Sequence, residues 1–107
     1  MSDSRGRTDS PSDDERWLVI GGRRWRRTDP VLDDAVVTAL TSHLGRGRAA
    51  VRTARRDDDD EALAAARRRV DLAKHGLGER GPRWWEEPEA ARIDRAREAL
   101  RLLDAPD

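Results

Sequence analysis

The chain has no cysteine and no apolar run that could cross a membrane. Without cysteine it can form neither a disulfide nor a catalytic thiolate, which suits a protein of the reducing cytoplasm. A membrane helix needs about 20 consecutive apolar residues, and the polar first residues lack the apolar core of a signal peptide. We therefore expect a cytoplasmic protein without a membrane segment.

Large apolar residues are also scarce. Leucine, isoleucine and valine sum to 18 of 107 residues, and phenylalanine and tyrosine are absent. Disorder normally combines such a composition with high net charge, whereas 22 basic and 22 acidic side chains balance here. Fifteen alanines and four tryptophans add surface that can be buried. We predict a disordered tail over residues 1–15 and one small domain over residues 16–104, with a thin, alanine-lined core that would gain from self-association.

A β-hairpin is predicted at the start of the domain, over residues 16–27, "RWLVIGGRRWRR". Two short β-prone runs flank Gly21-Gly22, a pair that accepts the positive φ angles of a two-residue turn. This turn would pair Leu18 with Trp25 and place both on one face with Ile20. Because an isolated hairpin is barely stable in water, we expect that apolar face to lie on the helices.

Three helices are predicted from apolar residues that recur at alternating steps of three and four, the pattern of a coiled-coil seam. They cover residues 30–56, 58–77 and 88–104. Thr28 or Asp29 would cap the first helix. That helix either breaks at Gly45 and Gly47 or continues, with Gly47 admitting a neighbouring backbone; we favour continuity because the seam keeps its phase. The fold class is mainly α, an antiparallel helical hairpin with a third helix against it.

The connection between the first two helices is the charged string "RRDDDDE", residues 55–61. Arginines at the end of one helix and aspartates at the start of the next both suit the helix dipole. A calcium loop would need a glycine and a later bidentate glutamate that this string lacks. We therefore interpret the four aspartates as a turn and a helix cap.

The four tryptophans are predicted to gather at the other end of the hairpin. The β-hairpin leads directly into the first helix, and "GERGPRWWEE", residues 78–87, follows the second. In an antiparallel hairpin these two places lie at the same end. Because adjacent side chains usually point in different directions, we expect one of Trp84 and Trp85 to close the core and the other to be available for contact.

Nucleic-acid binding is one functional alternative. Residues 16–56 carry ten basic and three acidic side chains, and Trp25 stands among arginines, where its indole could stack on a base. The first helix continues this basic surface with Arg46, Arg48, Arg52, Arg55 and Arg56. The remainder of the chain cancels the charge, and no nucleic-acid reading motif is present.

Enzyme chemistry has little support. The sequence predicts no catalytic residue, no cofactor and no metal site, since His43 and His75 lack a clear third ligand and suit ordinary surface or helix-capping roles. We favour a non-enzymatic protein that acts through protein association, as a homodimer or with another protein. The candidate partner-binding residues are Trp17, Arg24, Trp25, Arg26, Trp84 and Trp85.

The order of these pieces resembles a group of small uncharacterised actinobacterial proteins, some of which carry the label "biopolymer transporter Tol". The resemblance spans residues 16–86: "WLVIGGRRWRRTDP", an alanine- and arginine-rich helical hairpin, then "LAKHGLGERGPRWWE". It rests on the Gly-Arg-Arg-Trp-Arg and Gly-Glu-Arg-Gly-Pro-x-Trp-Trp strings. It implies no activity and no catalytic residue, and a transport role conflicts with the lack of a membrane segment.

Overall fold

A computed structural model describes residues 12–105 of the chain. These residues form α1 (Asp13–Arg16), β1 (Trp17–Ile20), β2 (Arg23–Arg26), α2 (Asp34–Arg56), α3 (Asp60–Leu77), a 3-10 turn (Trp84–Glu86) and α4 (Glu89–Asp104). The predicted mainly α fold is confirmed: α2 and α3 form a helical hairpin, α4 packs on both, and a β-ribbon precedes them. Within residues 12–105, no helix has the length and apolarity that crossing a bilayer requires.

Residues 13–15, which belong to the predicted disordered tail, form most of the helical turn α1, while residues 1–11 lie outside the described residues. The Ser12 N–H donates to Glu15 Oε1 at 2.7 Å, half of a capping box that starts α1. The Arg27 Nε–H then donates to the Asp14 carbonyl at 2.6 Å. This turn of helix is therefore held by the ribbon that follows it.

The ribbon has the predicted register, with Leu18 paired to Trp25 and Ile20 to Arg23. Its turn residues Gly21 and Gly22 both have positive φ, at 60° and 77°. Such angles at both central positions define the turn that matches the twist of a two-stranded ribbon, and glycine adopts them without strain.

Helix α2 begins at Asp34, four residues later than predicted, and Asp33 rather than Thr28 or Asp29 is its N-cap residue. Asp29 Oδ1 instead accepts the Val31 N–H at 3.0 Å, which closes a turn ahead of the helix. From Asp34 the helix is continuous through both glycines. A Cβ on Gly47 would lie 2.9 Å from Val70 Cγ2 and 3.3 Å from the Val70 nitrogen, so this glycine lets α3 approach α2 closely.

Helix α3 is bounded by the residue types that the sequence suggested. Asp59 Oδ1 accepts the Ala62 N–H at 3.0 Å at its start, and Gly78, with φ of 80°, ends it. Between α2 and α3 the chain turns at Asp58, which has φ of 54°. Aspartate tolerates this left-handed conformation better than most residues, so the acidic string both turns the chain and caps the next helix.

The core lies between the three long helices and is as thin as the composition predicts. Its buried residues are Leu32, Leu40, Leu44, Ala73, Leu77, Ala96, Ala99 and Leu103. Small side chains bring the helices close together: a Cβ on Gly76 would lie 2.8 Å from Ala99 Cβ and 3.0 Å from a Leu40 methyl group. Helix α4 is therefore in tight contact with both arms of the hairpin.

The expected surface role of His43 is wrong, because its ring is buried between α2 and α4. Its Nε2 lies 2.7 Å from Asp104 Oδ1, and its Nδ1 lies 3.0 Å from Arg46 Nη2. If the guanidinium donates to Nδ1, then Nε2 carries the proton and donates to Asp104. His75 lies apart from it, half-buried, with Nδ1 2.9 Å from the Asp71 carbonyl oxygen.

Candidate functional site

Trp84 closes the end of the helices where the chain enters α2 and leaves α3. It is 2 % exposed, and its indole Nε1–H donates to the Arg27 carbonyl at 3.0 Å. Trp85 meets its edge with ring centroids 5.1 Å apart, and Trp17 meets Trp85 at 5.5 Å. We call the cluster of Trp17, Trp84 and Trp85 the tryptophan pole. Its edge-to-face geometry is the one that aromatic quadrupoles favour.

Arginines complete the tryptophan pole, and each is occupied within the chain. Arg26 Nη1 donates to the carbonyl oxygens of Gly78, Gly81 and Pro82 at 3.3, 2.9 and 3.1 Å. Burial lowers the pKa of Arg26 below its usual value, and the nearby positive charges of Arg83 and Arg95 add to this effect. Its guanidinium therefore ties the ribbon to the loop after α3.

A second buried arginine joins α4 to the pole. Arg92 makes a two-pronged contact with Asp29, at 2.6 Å to Oδ1 and 2.9 Å to Oδ2, and lies 5.3 Å from the Trp84 ring centre. The hydrogen bond to Asp29 raises the pKa of Arg92, and it outweighs the opposing effect of burial. Asp29 is itself only 2 % exposed, so each charge depends on the other for its solvation.

The structure thus separates the predicted partner-binding residues. Trp84 lies in the core, and Arg26 Nη1 donates to backbone carbonyl oxygens, so both side chains are engaged within the chain. The expectation that one of Trp84 and Trp85 would be buried is confirmed, since Trp85 is only half-buried. Arg24 covers the half-buried Trp17 at 4.2 Å from its ring centre. Most side chains of the tryptophan pole therefore have their packing and hydrogen-bond partners within the chain.

The fourth tryptophan, Trp25, lies apart from the pole on the other face of the ribbon, which corrects the prediction that all four gather. With Leu18 and Ile20 it overhangs α3, where Lys74 Nζ lies 5.6 Å from its ring centre. This apolar face stays open, with Trp25 39 % and Ile20 61 % exposed, above a cleft of about 330 Å³ that Arg48 also lines. The expected helix support is missing because Lys74, rather than an apolar side chain, stands opposite the indole.

A larger groove of about 940 Å³ runs beside α2 and α3. We call it the arginine groove. Half-buried apolar side chains, Val51, Val70 and Leu72, form its floor, and its rims carry Arg48, Arg52, Arg55, Arg67, Arg68 and Arg80. Asp71 is its acidic lining residue and is paired with Arg80 at 2.9 Å. No residue of α4 lines it.

Positive charge collects in the arginine groove without compensation from the described residues. Arg48, Arg52, Arg55, Arg67 and Arg68 have no hydrogen bond, ion pair or ring contact within residues 12–105. Close to the groove, burial lowers the pKa of the Lys74 ammonium, and the charges of Arg80 and Arg48 lower it further. A surface of this kind attracts anions, and its apolar floor favours anions that also carry apolar groups.

The turn between α2 and α3 is the matching negative surface. Residues 57–61, four aspartates and a glutamate, are all exposed, and we call them the acidic turn. Asp59 is used as a helix cap, but the other four carboxylates have no partner among the described residues. The unpaired positive and negative charges thus occur side by side on the same half of the helical hairpin.

The sequence placed the partner-binding residues on the ribbon and at Trp84–Trp85, and it identified the arginines of the first helix only as part of a basic surface for nucleic acid. Of these, Arg48, Arg52 and Arg55 are spaced four and three residues apart and therefore share one face of α2. The contribution of Arg67 and Arg68 could not be inferred in the same way. It depends on how α3 is rotated against α2, which is set where Gly47 meets Val70.

Comparison with known proteins adds no assignment. No family model, no curated protein and no solved structure matches the chain significantly. The resemblance to actinobacterial proteins therefore stays an expectation. Within the described residues, no three histidine, aspartate or glutamate side chains are grouped so that they could hold a metal ion.

Proposed function

We propose that this protein is a non-enzymatic association module that binds a helix of a protein partner in the arginine groove. One observation carries the proposal: five arginines without a partner in the described chain surround an apolar floor. An amphipathic helix with an apolar stripe and acidic flanks is complementary to both features. Recognition of this kind, in which a helix lays its apolar face into a groove, recurs among protein-interaction modules.

The apolar floor and the arginines would have different tasks. Covering Val51, Val70 and Leu72 removes apolar surface from water, which contributes about 25 cal/mol per Å². The rim arginines are exposed, so each ion pair to a partner contributes only about 0.2–1 kcal/mol. Their main effect is to speed the encounter and to orient the partner helix. Affinity would come from the floor, and selection of an acidic partner from the rims.

Nucleic-acid binding is the second candidate, because unpaired arginines and the exposed Trp25 could contact phosphates and a base. Two features make it the weaker one. Phosphates gain nothing from the apolar floor of the groove. The acidic turn also begins only two residues after Arg55, and its carboxylates repel a polyanion that follows the groove.

The cytoplasmic location expected from the sequence remains a prediction.

The proposal is tested with a labelled synthetic helix of about 20 residues, roughly 30 Å long, that carries leucines on one stripe and glutamates elsewhere. We expect saturable binding that the double variant Arg52→Glu/Arg55→Glu weakens by ~10–100-fold. Val51→Ser removes apolar floor without changing charge and should weaken binding by ~5-fold. Fluorescence anisotropy at constant ionic strength measures both effects.

Two controls make the result specific. A peptide with lysines in place of the glutamates should not bind. Arg97→Glu, which makes the same charge change on the exposed face of α4, should leave binding of the Leu/Glu peptide unchanged. A single-stranded oligonucleotide that binds more tightly than the peptide, with no response to Val51→Ser, would establish the nucleic-acid alternative instead. Absence of binding of either probe to the monomeric chain would refute the groove as a binding site.

A further inference from the structure

We propose that the acidic turn of a second copy of this chain occupies the arginine groove, so that two copies form a two-fold symmetric dimer. The inference rests on the proposed role of the groove arginines in selecting an acidic protein partner, and it names the source of that acidic segment. The two copies would meet at the acidic-turn half of the helical hairpin, away from the tryptophan pole.

Charge complementarity is the first argument. The arginine groove carries five arginines without partners among the described residues, and the acidic turn carries four such carboxylates. The full chain has a net charge of zero, with 22 basic and 22 acidic side chains. Although the net charge is zero, these unpaired charges are not mixed: the positive ones lie in the arginine groove and the negative ones in the adjacent acidic turn. Opposite surfaces on one molecule make it complementary to a second copy.

Within the described residues, the two surfaces form no ion pair with each other. Arg48 and Arg52 lie nine and five residues before Asp57 on the rigid α2 helix, which places them about 14 and 8 Å from it along the axis. An ion pair requires charged atoms within about 4 Å, and no such contact joins the groove arginines to the turn among the described residues. A second molecule can bridge this distance.

Because the arginine groove and the acidic turn lie close together on each copy, a two-fold symmetric arrangement is favoured. If two hairpins lie antiparallel, tip beside tip, the acidic turn of each copy reaches the groove of the other at the same time. Both contacts are then equivalent, as in an isologous dimer. A head-to-tail arrangement would make one contact for each added copy and leave a groove open at the end of every chain.

The position of α4 supplies the second argument. Helix α4 covers one side of the α2–α3 hairpin with Ala96, Ala99 and Leu103, while the floor of the arginine groove stays uncovered by the described residues. A thin core of alanines leaves a small domain marginally stable, and burial of Val51 and Val70 against a second copy would add to it. The groove is thus the side of the α2–α3 hairpin that no other helix of the described residues covers.

A charge-swap experiment tests the dimer. One variant reverses the groove (Arg52→Glu/Arg55→Glu), and the other reverses the turn (Asp57→Arg/Glu61→Arg) and leaves the Asp59 cap intact. In sedimentation equilibrium the unmodified chain should be a dimer, and each variant alone should have a dimer dissociation constant raised by ~100-fold. Mixed in equal amounts, the two variants should form a heterodimer, because both groove–turn contacts are then attractive. Arg97→Glu should dimerise as the unmodified chain does.

Three outcomes would overturn the dimer. These are a strictly monomeric unmodified chain, a dimer that neither variant weakens, and a mixture that stays monomeric although circular dichroism shows both variants folded. The turn variant keeps the proposed function separately testable, since its groove is intact. If it binds the Leu/Glu peptide while the unmodified chain is monomeric, the groove binds a different protein and only the self-association fails. Dimers that grow into longer species with concentration would contradict the two-fold arrangement.

Discussion

The two ends of the helical hairpin use the same residue type in opposite ways. At the tryptophan pole, Arg26 and Arg92 donate to backbone carbonyls and to a buried carboxylate, and Arg24 covers an indole. At the other end, five arginines of the groove have no partner within the described residues, and four of the five carboxylates of the neighbouring acidic turn are also unpaired. Arginine therefore builds structure at one end and remains available at the other.

This difference follows from the partners that each end provides. The pole offers buried acceptors, such as the Arg27 carbonyl for Trp84 and the Asp29 carboxylate for Arg92. Loss of one member of such a buried set leaves the other without solvation, which is costly. The groove end offers only water, so its charges contribute little to folding. Substitutions at the tryptophan pole should therefore lower the free energy of unfolding, whereas substitutions at the groove end should mainly weaken association.

The largest effect is expected for Trp84→Ala. The change removes a fully buried indole, its contact with Trp85 and the hydrogen bond to Arg27, so the free energy of unfolding should fall by about 3–5 kcal/mol. Urea denaturation followed by circular dichroism measures the loss. Trp25→Ala is the matched control, because its indole is 39 % exposed and should cost less than about 1.5 kcal/mol. Equal losses for the two tryptophans would show that the tryptophan pole is not the end of the hairpin that stabilises the fold, which we call the structural end.

Asp29→Asn is expected to lower the free energy of unfolding by about 3 kcal/mol, since it leaves the Arg92 guanidinium buried without its counter-charge. The control is Glu86→Gln, which breaks an ion pair to Arg83 in which both side chains are more than half exposed. That loss should stay below about 1 kcal/mol. Comparing the urea midpoints of the two variants shows whether burial determines how much an ion pair contributes to the free energy of unfolding in this protein.

Much of the structural end could be predicted from sequence, because its signals are local. The Gly21-Gly22 turn fixed the pairing of Leu18 with Trp25, and the short link between α2 and α3 fixed the hairpin. The partner of Asp29 could not be predicted, since Arg92 lies 63 residues away on a helix whose placement the sequence does not define. The sequence offered Thr28 or Asp29 as the helix cap, whereas Asp29 closes a separate turn and accepts hydrogen bonds from this distant arginine.

The groove end was harder to predict because it depends on two helices at once. Periodicity identifies which side of α2 carries Arg48, Arg52 and Arg55, but the groove exists only where that side adjoins Arg67 and Arg68 of α3. The ribbon shows a related limit. Alternation correctly placed Leu18 and Trp25 on one face, yet gave no means to foresee that a lysine would stand beneath the indole.

Glycine substitutions sharpen the comparison at the contacts between helices. Gly76→Ala should lower the free energy of unfolding by about 1–3 kcal/mol, because its new Cβ would meet Ala99 Cβ at 2.8 Å in a packed region. Gly45→Ala should raise it by about 0.5–1 kcal/mol, since the residue is helical and has open space around it. Thermal unfolding of the two variants should shift in opposite directions. A stabilising Gly76→Ala would mean that α4 is free to move away from α3.

The smallest effect is expected where the charges are most numerous. Arg52→Ala/Arg55→Ala, measured in the Asp57→Arg/Glu61→Arg background so that self-association does not contribute, should change the free energy of unfolding by no more than about 0.5 kcal/mol. The same pair of substitutions should still weaken binding of the Leu/Glu peptide, by less than the charge reversal Arg52→Glu/Arg55→Glu does. A large loss of stability would mean that these arginines have partners within the chain and support the fold. Unchanged stability with weakened binding would show that the groove end is shaped by association, because folding alone gives no physical reason to keep unpaired charges around an apolar floor.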